Sequence, residues 1–116
     1  METIQNAKLL RIFTGELDKV GHQPLYEAII YKAKETGLAG ATAIRGIFSF
    51  GANSRVHSVK LLDISPDLPI IVEIVDTEEK VNAFIPLVKE LFEKSHSGGL
   101  ITLEKAEVIM YRSVKK

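Results

Sequence analysis

Two adjacent glycines, Gly98 and Gly99, have a residue type and spacing that can hold an anion. Because glycine has no Cβ, successive backbone N–H groups can turn toward one phosphate, and the ligand can approach closely. A turn between a helix and a strand uses glycine for the same conformational freedom. The pair therefore predicts a helix-to-strand turn, with phosphate binding as the functional alternative.

Three arginines could supply the positive charge that a phosphate needs, because a planar guanidinium donates several N–H groups in a fixed fork. The candidates are Arg45, Arg55 and Arg112, of which Arg45 is favoured by its neighbours in the sequence. The alternative for each is an ion pair at the surface or between subunits.

Three histidines, His22, His57 and His96, are candidates for a metal site or a general base. They are far apart in the sequence and lack a metal-binding spacing such as His-x-x-x-His, so solvated loop positions are the alternative. The acidic residues likewise lack a spacing that fixes two carboxylates at a shared site; those considered are Asp63, Asp67, Glu73 and Asp76. The sequence contains no Gly-x-Ser-x-Gly, Walker A or Rossmann fingerprint.

The charge balance argues against a nucleic-acid partner. Lys and Arg number 15, Asp and Glu number 15, and the net charge is zero, whereas nucleic-acid binders usually carry a basic excess. Cysteine is absent, which excludes disulfides and thiolate metal sites and fits a reducing cytosol. No apolar run approaches the roughly 20 residues that span a bilayer, and we expect no signal peptide at the N-terminus. We expect one cytoplasmic domain, residues 1–116, without membrane insertion.

The first elements that must position these residues are a strand and a helix. Residues 7–13 are predicted to form a strand, and residues 15–23 a polar loop. Apolar residues then recur at helical spacing over residues 24–36, with Pro24 at a plausible first helical position and Gly37 as the C-terminal cap.

A second strand is predicted over residues 41–50, in which Gly46 indicates a bulge or a close backbone approach. Another extended segment is expected over residues 56–64. A turn follows at residues 65–67, where Pro presets one turn angle and Ser and Asp bond the local backbone.

The strongest strand is residues 69–75, whose almost continuous apolar character predicts a central place in the sheet. A second helix begins at residues 76–79, with a capping oxygen and acids in its first turn. Pro86 should kink or tighten this helix. The last strand is expected within residues 100–111, best placed at residues 106–111.

This order of elements predicts an α+β fold of the ferredoxin-like, split βαβ type. Four mostly antiparallel strands would carry two helices on one face. The other face of the sheet would stay uncovered in a monomer, and the apolar strands indicate that oligomerisation buries it.

Several short segments occur together in a combination typical of one family. The most specific run is Gly37-Leu38-Ala39-Gly40-Ala41-Thr42. The others lie at residues 9–16, 24–29, 45–47, 50–51, 68–69, 73–77 and 108–112. These segments cover nearly the whole chain and resemble an uncharacterised PII-like protein family, similar to the PII signal-transduction proteins.

PII proteins are ferredoxin-like trimers that bind adenine nucleotides between subunits. The resemblance therefore implies a homotrimer that requires no cofactor and binds a small anionic effector, namely ADP, ATP or AMP. It places the ligand against two short segments: Gly40, Ala41 and Thr42 of one subunit, and Gly98, Gly99 and Leu100 of another. Close packing at the start of a strand is the alternative for the first segment.

The resemblance also implies a signalling loop over residues 51–60, read by a partner protein such as a transporter or an enzyme. Its candidate contact residues are Gly51, Asn53, Ser54, Arg55 and His57. Nearby, Phe48 and Phe50 could stack a base or pack in the core or an interface.

The chain departs from the PII pattern at three positions. Gly98-Gly99 replaces a Gly-Asp-Gly-Lys phosphate motif, Pro69-Ile70 stands where a lysine begins the central strand, and Arg112 alone replaces paired arginines. Two further hypotheses stay open. One is a small enzyme with His22 or His57 as general base, and the other is a structural trimer without a ligand.

Overall fold

The computed structural model describes residues 4–50, 56–58 and 67–114, with side chains for all of these except residues 48–50 and 56–58. Within this part of the chain there are eight strands and two helices. The strands are β1 (Ala7–Gly15), β2 (Lys19–Val20), β3 (Gln23–Pro24), β4 (Thr42–Arg45), β5 (Phe48–Phe50), β6 (Val56–Ser58), β7 (Pro69–Thr77) and β8 (Leu100–Lys105). The helices are α1 (Leu25–Glu35) and α2 (Glu78–Ser95).

Four of the strands form one antiparallel sheet in the order β4-β7-β1-β8. The central strands β1 and β7 pair along their whole length, from Ala7 opposite Thr77 to Gly15 opposite Pro69. Both helices contribute to the core on one face of this sheet. The α+β fold and the central place of the strand over residues 69–75 are therefore confirmed.

The core lies between that sheet face and the helices. Alternate residues of β1 and β7 point into it because successive strand side chains face opposite sides. Helical positions three and four apart supply the opposing surface. The largest fully buried side chains of this cluster are Leu10, Ile12, Val72 and Ile74 from the strands, and Leu25, Ile29, Val81 and Val88 from the helices.

The ends of α1 follow local rules. Pro24, predicted inside the helix, instead lies one residue before it, at the N-cap with φ −55° and ψ 138°. Its missing N–H is cost-free there. Gly37 follows the C-cap with φ +86°, the left-handed conformation that glycine adopts most readily, and so confirms the predicted helix end.

The predicted start of α2 is also confirmed, because Thr77 caps the helix and its hydroxyl accepts from the N–H of Lys80 at 3.3 Å. Pro86 lies inside α2, which continues through it to Ser95. The carbonyl that loses its donor belongs to Asn82, and this residue is exposed to water. Neither helix in the described part of the chain is long and apolar enough to cross a membrane.

The predicted strand over residues 41–50 is interrupted at Gly46, which separates β4 from β5. A Cβ on Gly46 would lie 2.6 Å from Cγ of Pro69, and the N–H of Gly46 donates to the carbonyl of Pro69 at 2.8 Å. The predicted close backbone approach is therefore confirmed, although one continuous strand is wrong. β5 instead pairs with β6, and residues 59–64 of the predicted extended segment lie outside the described residues.

The last strand lies earlier in the sequence than predicted. β8 spans residues 100–105 rather than 106–111, and it pairs with β1 from Leu100 opposite Phe13 to Lys105 opposite Lys8. The N–H of Ala106 still donates to the carbonyl of Ala7, the first residue of β1. Because β1 begins at Ala7, the residues after Ala106 have no further partner on that strand.

Candidate functional site

The sheet face opposite the helices, here called the open face, is crossed by an apolar row. Directly opposed residues of antiparallel strands point to the same side, so the pairings place Ile44, Ile71, Phe13 and Leu100 in one line from edge to edge. Ile44 is 44% exposed and Leu100 is 55% exposed. The uncovered apolar face that the sequence predicted is therefore present in the single chain.

A charged cluster lies next to this row. Nε of Arg11 donates to Oε2 of Glu73 at 2.9 Å, and Nη1 of Arg11 pairs with Glu104 on the other neighbouring strand. The hydrogen bond to Glu73 and the charge of Glu104 raise the pKa of Arg11 above its ordinary value. The cluster explains how Glu73 is accommodated among the otherwise apolar residues 69–75.

Gly40 and Ala41 lie in the connection between α1 and β4, and Thr42 is the first residue of β4, at one edge of the sheet. The residue before it, Ala39, donates its N–H to Oδ2 of Asp76 at 2.8 Å. Asp76 is 3% exposed, and its Oδ1 accepts from the N–H of Thr77 at 2.7 Å. Gly40 and Thr42 are exposed, and Ala41 packs partly against the core.

The C-terminal residues cross the end of the sheet toward the same segment. The hydroxyl of Tyr111 lies 3.5 Å from the carbonyl oxygen of Ala39. Arg112 follows Tyr111 in the sequence, and Gly40 follows Ala39. Both Arg112 and Gly40 are exposed. The structure therefore brings Arg112 to the same corner of the molecule as residues 40–42.

The Gly-Gly turn joins α2 to β8 at the opposite edge of the sheet. A Cβ on Gly98 would meet no heavy atom within 4 Å, so the backbone of this residue is accessible. A groove of about 290 Å³ adjoins the turn, and its lining residues are Lys89, Phe92, Glu93, Ser97, Gly99 and Ile101. Lys89 and the backbone of the turn are groups that can bind a phosphate, although the carboxylate of Glu93 also lines the groove.

Residues 40–42 and residues 98–100 do not form one binding site within a single chain. Residues 40–42 adjoin β4 and residues 98–100 adjoin β8, and these strands are the two edges of the sheet. With strands about 4.8 Å apart, three spacings separate the edges by roughly 14 Å. A shared site would therefore need the β4 edge of one copy and the β8 edge of another.

Other sequence-predicted residues lie elsewhere. Arg45 pairs with Glu16, with 3.1 Å between Nη2 and Oε1, and half of its side chain is exposed. His22 and His96 are exposed loop residues, and no group of three potential metal ligands occurs among the described residues. His57 lies in β6, where its side chain is not described. The remaining loop candidates lie outside the described residues: Gly51, Asn53, Ser54 and Arg55.

Two residues beside these segments were not among the predicted site residues. Lys89 lies three residues before Phe92 and four before Glu93, so the three share one face of α2. This spacing is visible in the sequence and could have indicated that Lys89 lies beside the turn. The sequence predicts Asp76 only as a candidate carboxylate and as part of a helix start. Its contact with Ala39 spans 37 residues and had no local signal.

Sequence comparison connects the chain to a family without an assigned activity. Residues 7–108 match the DUF190 family, described as "Uncharacterized ACR, COG1993". A UPF0166 protein of Aquifex aeolicus is 42% identical over 102 residues, which cover 88% of this chain and 92% of the relative. A UPF0166 protein of Methanocaldococcus jannaschii is 34% identical over 102 residues, or 88% and 91% of the two chains.

Structural comparison identifies a PII-like neighbour. CPII of Thiomonas intermedia K12, described as a nitrogen regulatory PII-like protein, superposes with a TM-score of 0.67 over 91% of both chains. The identity is 18%, so this likeness concerns the fold. CPII was solved bound to ADP, AMP and bicarbonate. The predicted resemblance to a PII-like uncharacterised family is confirmed.

Proposed function

The chain belongs to the DUF190 family, and from that membership and its fold we propose that it is a PII-like regulatory protein that binds an adenine nucleotide between the subunits of a homotrimer. The observation that carries the proposal is the fold shared with CPII, a protein solved with ADP and AMP. Binding, rather than covalent chemistry, is the activity we infer for this chain.

The β8 edge of the sheet, where the Gly98–Gly99 turn lies, has features suited to binding the phosphates of the nucleotide. Gly98 is open to solvent, so its N–H can turn toward an anion without a Cβ in the way. Lys89 lines the adjoining groove and offers the cation that the turn itself lacks. Leu100 extends from the turn into β8 with an exposed side chain, which can contact the rest of the ligand.

The other edge has features suited to the base and the ribose. Gly40 leaves its backbone accessible, and Ala41 provides a small apolar surface beside it. Thr42 is exposed and carries a hydroxyl that can bond a ribose or a base edge. Arg112 lies at the same corner, through the contact of Tyr111 with Ala39, and can reach a phosphate as a second cation.

The open face gives the reason for assembly. Its apolar row and the Arg11 cluster lie on one surface, and burying such a row against other copies removes apolar area from water. In the proposed trimer each nucleotide joins the β4 edge of one subunit to the β8 edge of the next. The ligand would bias the 51–60 loop between two states that a transporter or an enzyme reads.

Isothermal titration calorimetry tests the proposal with ADP, ATP and AMP. Wild-type protein should bind at least one of them, and Gly98→Val should weaken binding at least tenfold, because the added side chain would occupy the phosphate position. Ala83→Val is the control, since it also introduces a valine, at an exposed position of α2 distant from the turn.

Two results would contradict the proposal. The first is wild-type protein that gives no heat with any of the three nucleotides. The second is equal nucleotide affinity in wild type and Gly98→Val, which would show that the nucleotide does not bind at the Gly98–Gly99 turn. A thermal shift checks the first result independently, because ligand at 100 times Kd stabilises a protein by about 2.7 kcal/mol.

A further inference from the structure

The carboxylate of Asp76 is buried at the point where β7 meets α2. Asp76 is 3% exposed, and Oδ2 and Oδ1 accept the N–H groups of Ala39 and Thr77 at 2.8 Å and 2.7 Å. A carboxylate is costly to bury unless hydrogen bonds replace its hydration. Its burial therefore depends on Ala39, a residue 37 positions away in the sequence.

The hydrogen bond between Asp76 and Ala39 also holds the residue that precedes residues 40–42, where we propose that the nucleotide binds. Residues 38–41 have no regular secondary structure, and Gly40 is exposed with no atom near its Cβ position. Leu38 is tied to the end of α1 by its N–H bond to the carbonyl of Ala33, at 3.0 Å. Asp76 supplies the next attachment, at Ala39, and so connects this segment to the rigid centre of the sheet.

We propose that Asp76 is a positioning residue for nucleotide binding, acting through Ala39 to fix the conformation of residues 40–42. This inference rests on the proposed function. Asp76 itself is buried beneath the segment and is assigned no contact with the ligand. Its effect is to keep Gly40 and Ala41 in the arrangement that receives the nucleotide, so that binding does not have to order them.

Asp76→Asn tests this role with little change in side-chain shape. The amide has one acceptor oxygen in place of two, so it can accept only one of the two N–H groups. If the binding-competent arrangement falls to about one tenth of its population, the apparent affinity falls about tenfold. We expect ADP to bind about tenfold more weakly, and the amide of Ala39 to exchange its hydrogen faster than in wild type.

Thr14→Val is the control for a loss of stability alone. Thr14 is also buried, and its hydroxyl donates to the carbonyl of Ile70 at 3.1 Å, at the other end of the β1–β7 pair. This variant loses a buried hydrogen bond far from residues 40–42. Its affinity for ADP should equal that of the wild type.

Ala39→Pro provides a second route if Asp76→Asn does not fold. Proline removes the N–H that donates to Asp76 but leaves the bond from Thr77 in place. Its loss of affinity should match that of Asp76→Asn. Wild-type affinity in a folded variant of either residue, or an equal loss in Thr14→Val, would overturn the inference. Wild-type protein that binds no nucleotide overturns the proposed function, and this inference with it.

Discussion

Gly99 packs its backbone directly against the ring of Phe92. A Cβ at this position would lie 2.5 Å from Cε1 of Phe92 and 2.6 Å from the carbonyl oxygen of Phe13. Real Cβ atoms do not approach so closely, so both the helix and β1 would have to shift. The two glycines of the turn therefore differ: Gly99 is needed for packing, whereas Gly98 has open space.

The first prediction follows from this difference. Gly99→Ala should destabilise the fold by about 1–3 kcal/mol, the usual cost of overpacking. Gly98→Ala should leave stability within about 0.5 kcal/mol of wild type. Chemical denaturation of both variants measures the two values. Similar stability in both variants would contradict the close contact with Phe92. Because of that contact, a substitution at Gly99 perturbs the fold, and Gly98 is the position that tests the ligand site.

The second prediction concerns Lys89, which lines the groove beside the Gly-Gly turn. Lys89→Ala should weaken ADP binding about tenfold, the loss expected for one charge-assisted contact of about 1.4 kcal/mol. Calorimetry at low and high salt should show a smaller salt dependence in the variant than in the wild type, because screening acts on the lost charge. Lys34→Ala, an exposed lysine of α1, is the control and should bind normally.

The third prediction compares Arg112 with Arg45, the arginine that the sequence favoured as the phosphate ligand. Arg45 is paired with Glu16, whereas Arg112 adjoins Tyr111 at the corner of residues 40–42. Arg112→Ala should therefore weaken ADP binding more than Arg45→Ala does. Titration of the two variants side by side decides the order. A larger effect at Arg45 would show that its pair with Glu16 opens when the ligand binds.

The fourth prediction concerns assembly through the open face. Ile44 belongs to its apolar row, so Ile44→Lys would place an unpaired charge within the proposed interface and should convert trimers to monomers. Tyr31→Lys is the matched control, since Tyr31 is 59% exposed on α1. Light scattering at micromolar concentration gives the mass of each protein. A monomeric wild type would contradict the trimer and remove the proposed inter-subunit site.

Sequence patterns predicted the features that depend on neighbouring residues. The apolar run of β7, the buried face of α2 and the glycine after α1 are all determined within a few turns or one strand. The place of the last strand depended instead on where β1 begins, because the pairing runs from Phe13 to Lys8 and so selects residues 100–105 over the more apolar residues 106–111.

The candidate site was less predictable, because its contacts join distant parts of the chain. The glycines at residues 40, 98 and 99 were visible as types, but the crowding of Gly99 arises from Phe13, on another strand. The bond between Asp76 and Ala39 likewise depends on how the end of α1 lies against β7. Neither relationship leaves a trace in composition or spacing.

The two edges of the sheet also determine the symmetry of an assembly that shares ligands between them. Joining the β4 edge of one copy to the β8 edge of the next makes a head-to-tail contact, which must close into a ring or continue as a filament. A closed ring has as many complete sites as subunits, whereas an open fragment has one fewer. Nucleotide would therefore favour ring closure by mass action, and subunit exchange should slow as the sites fill.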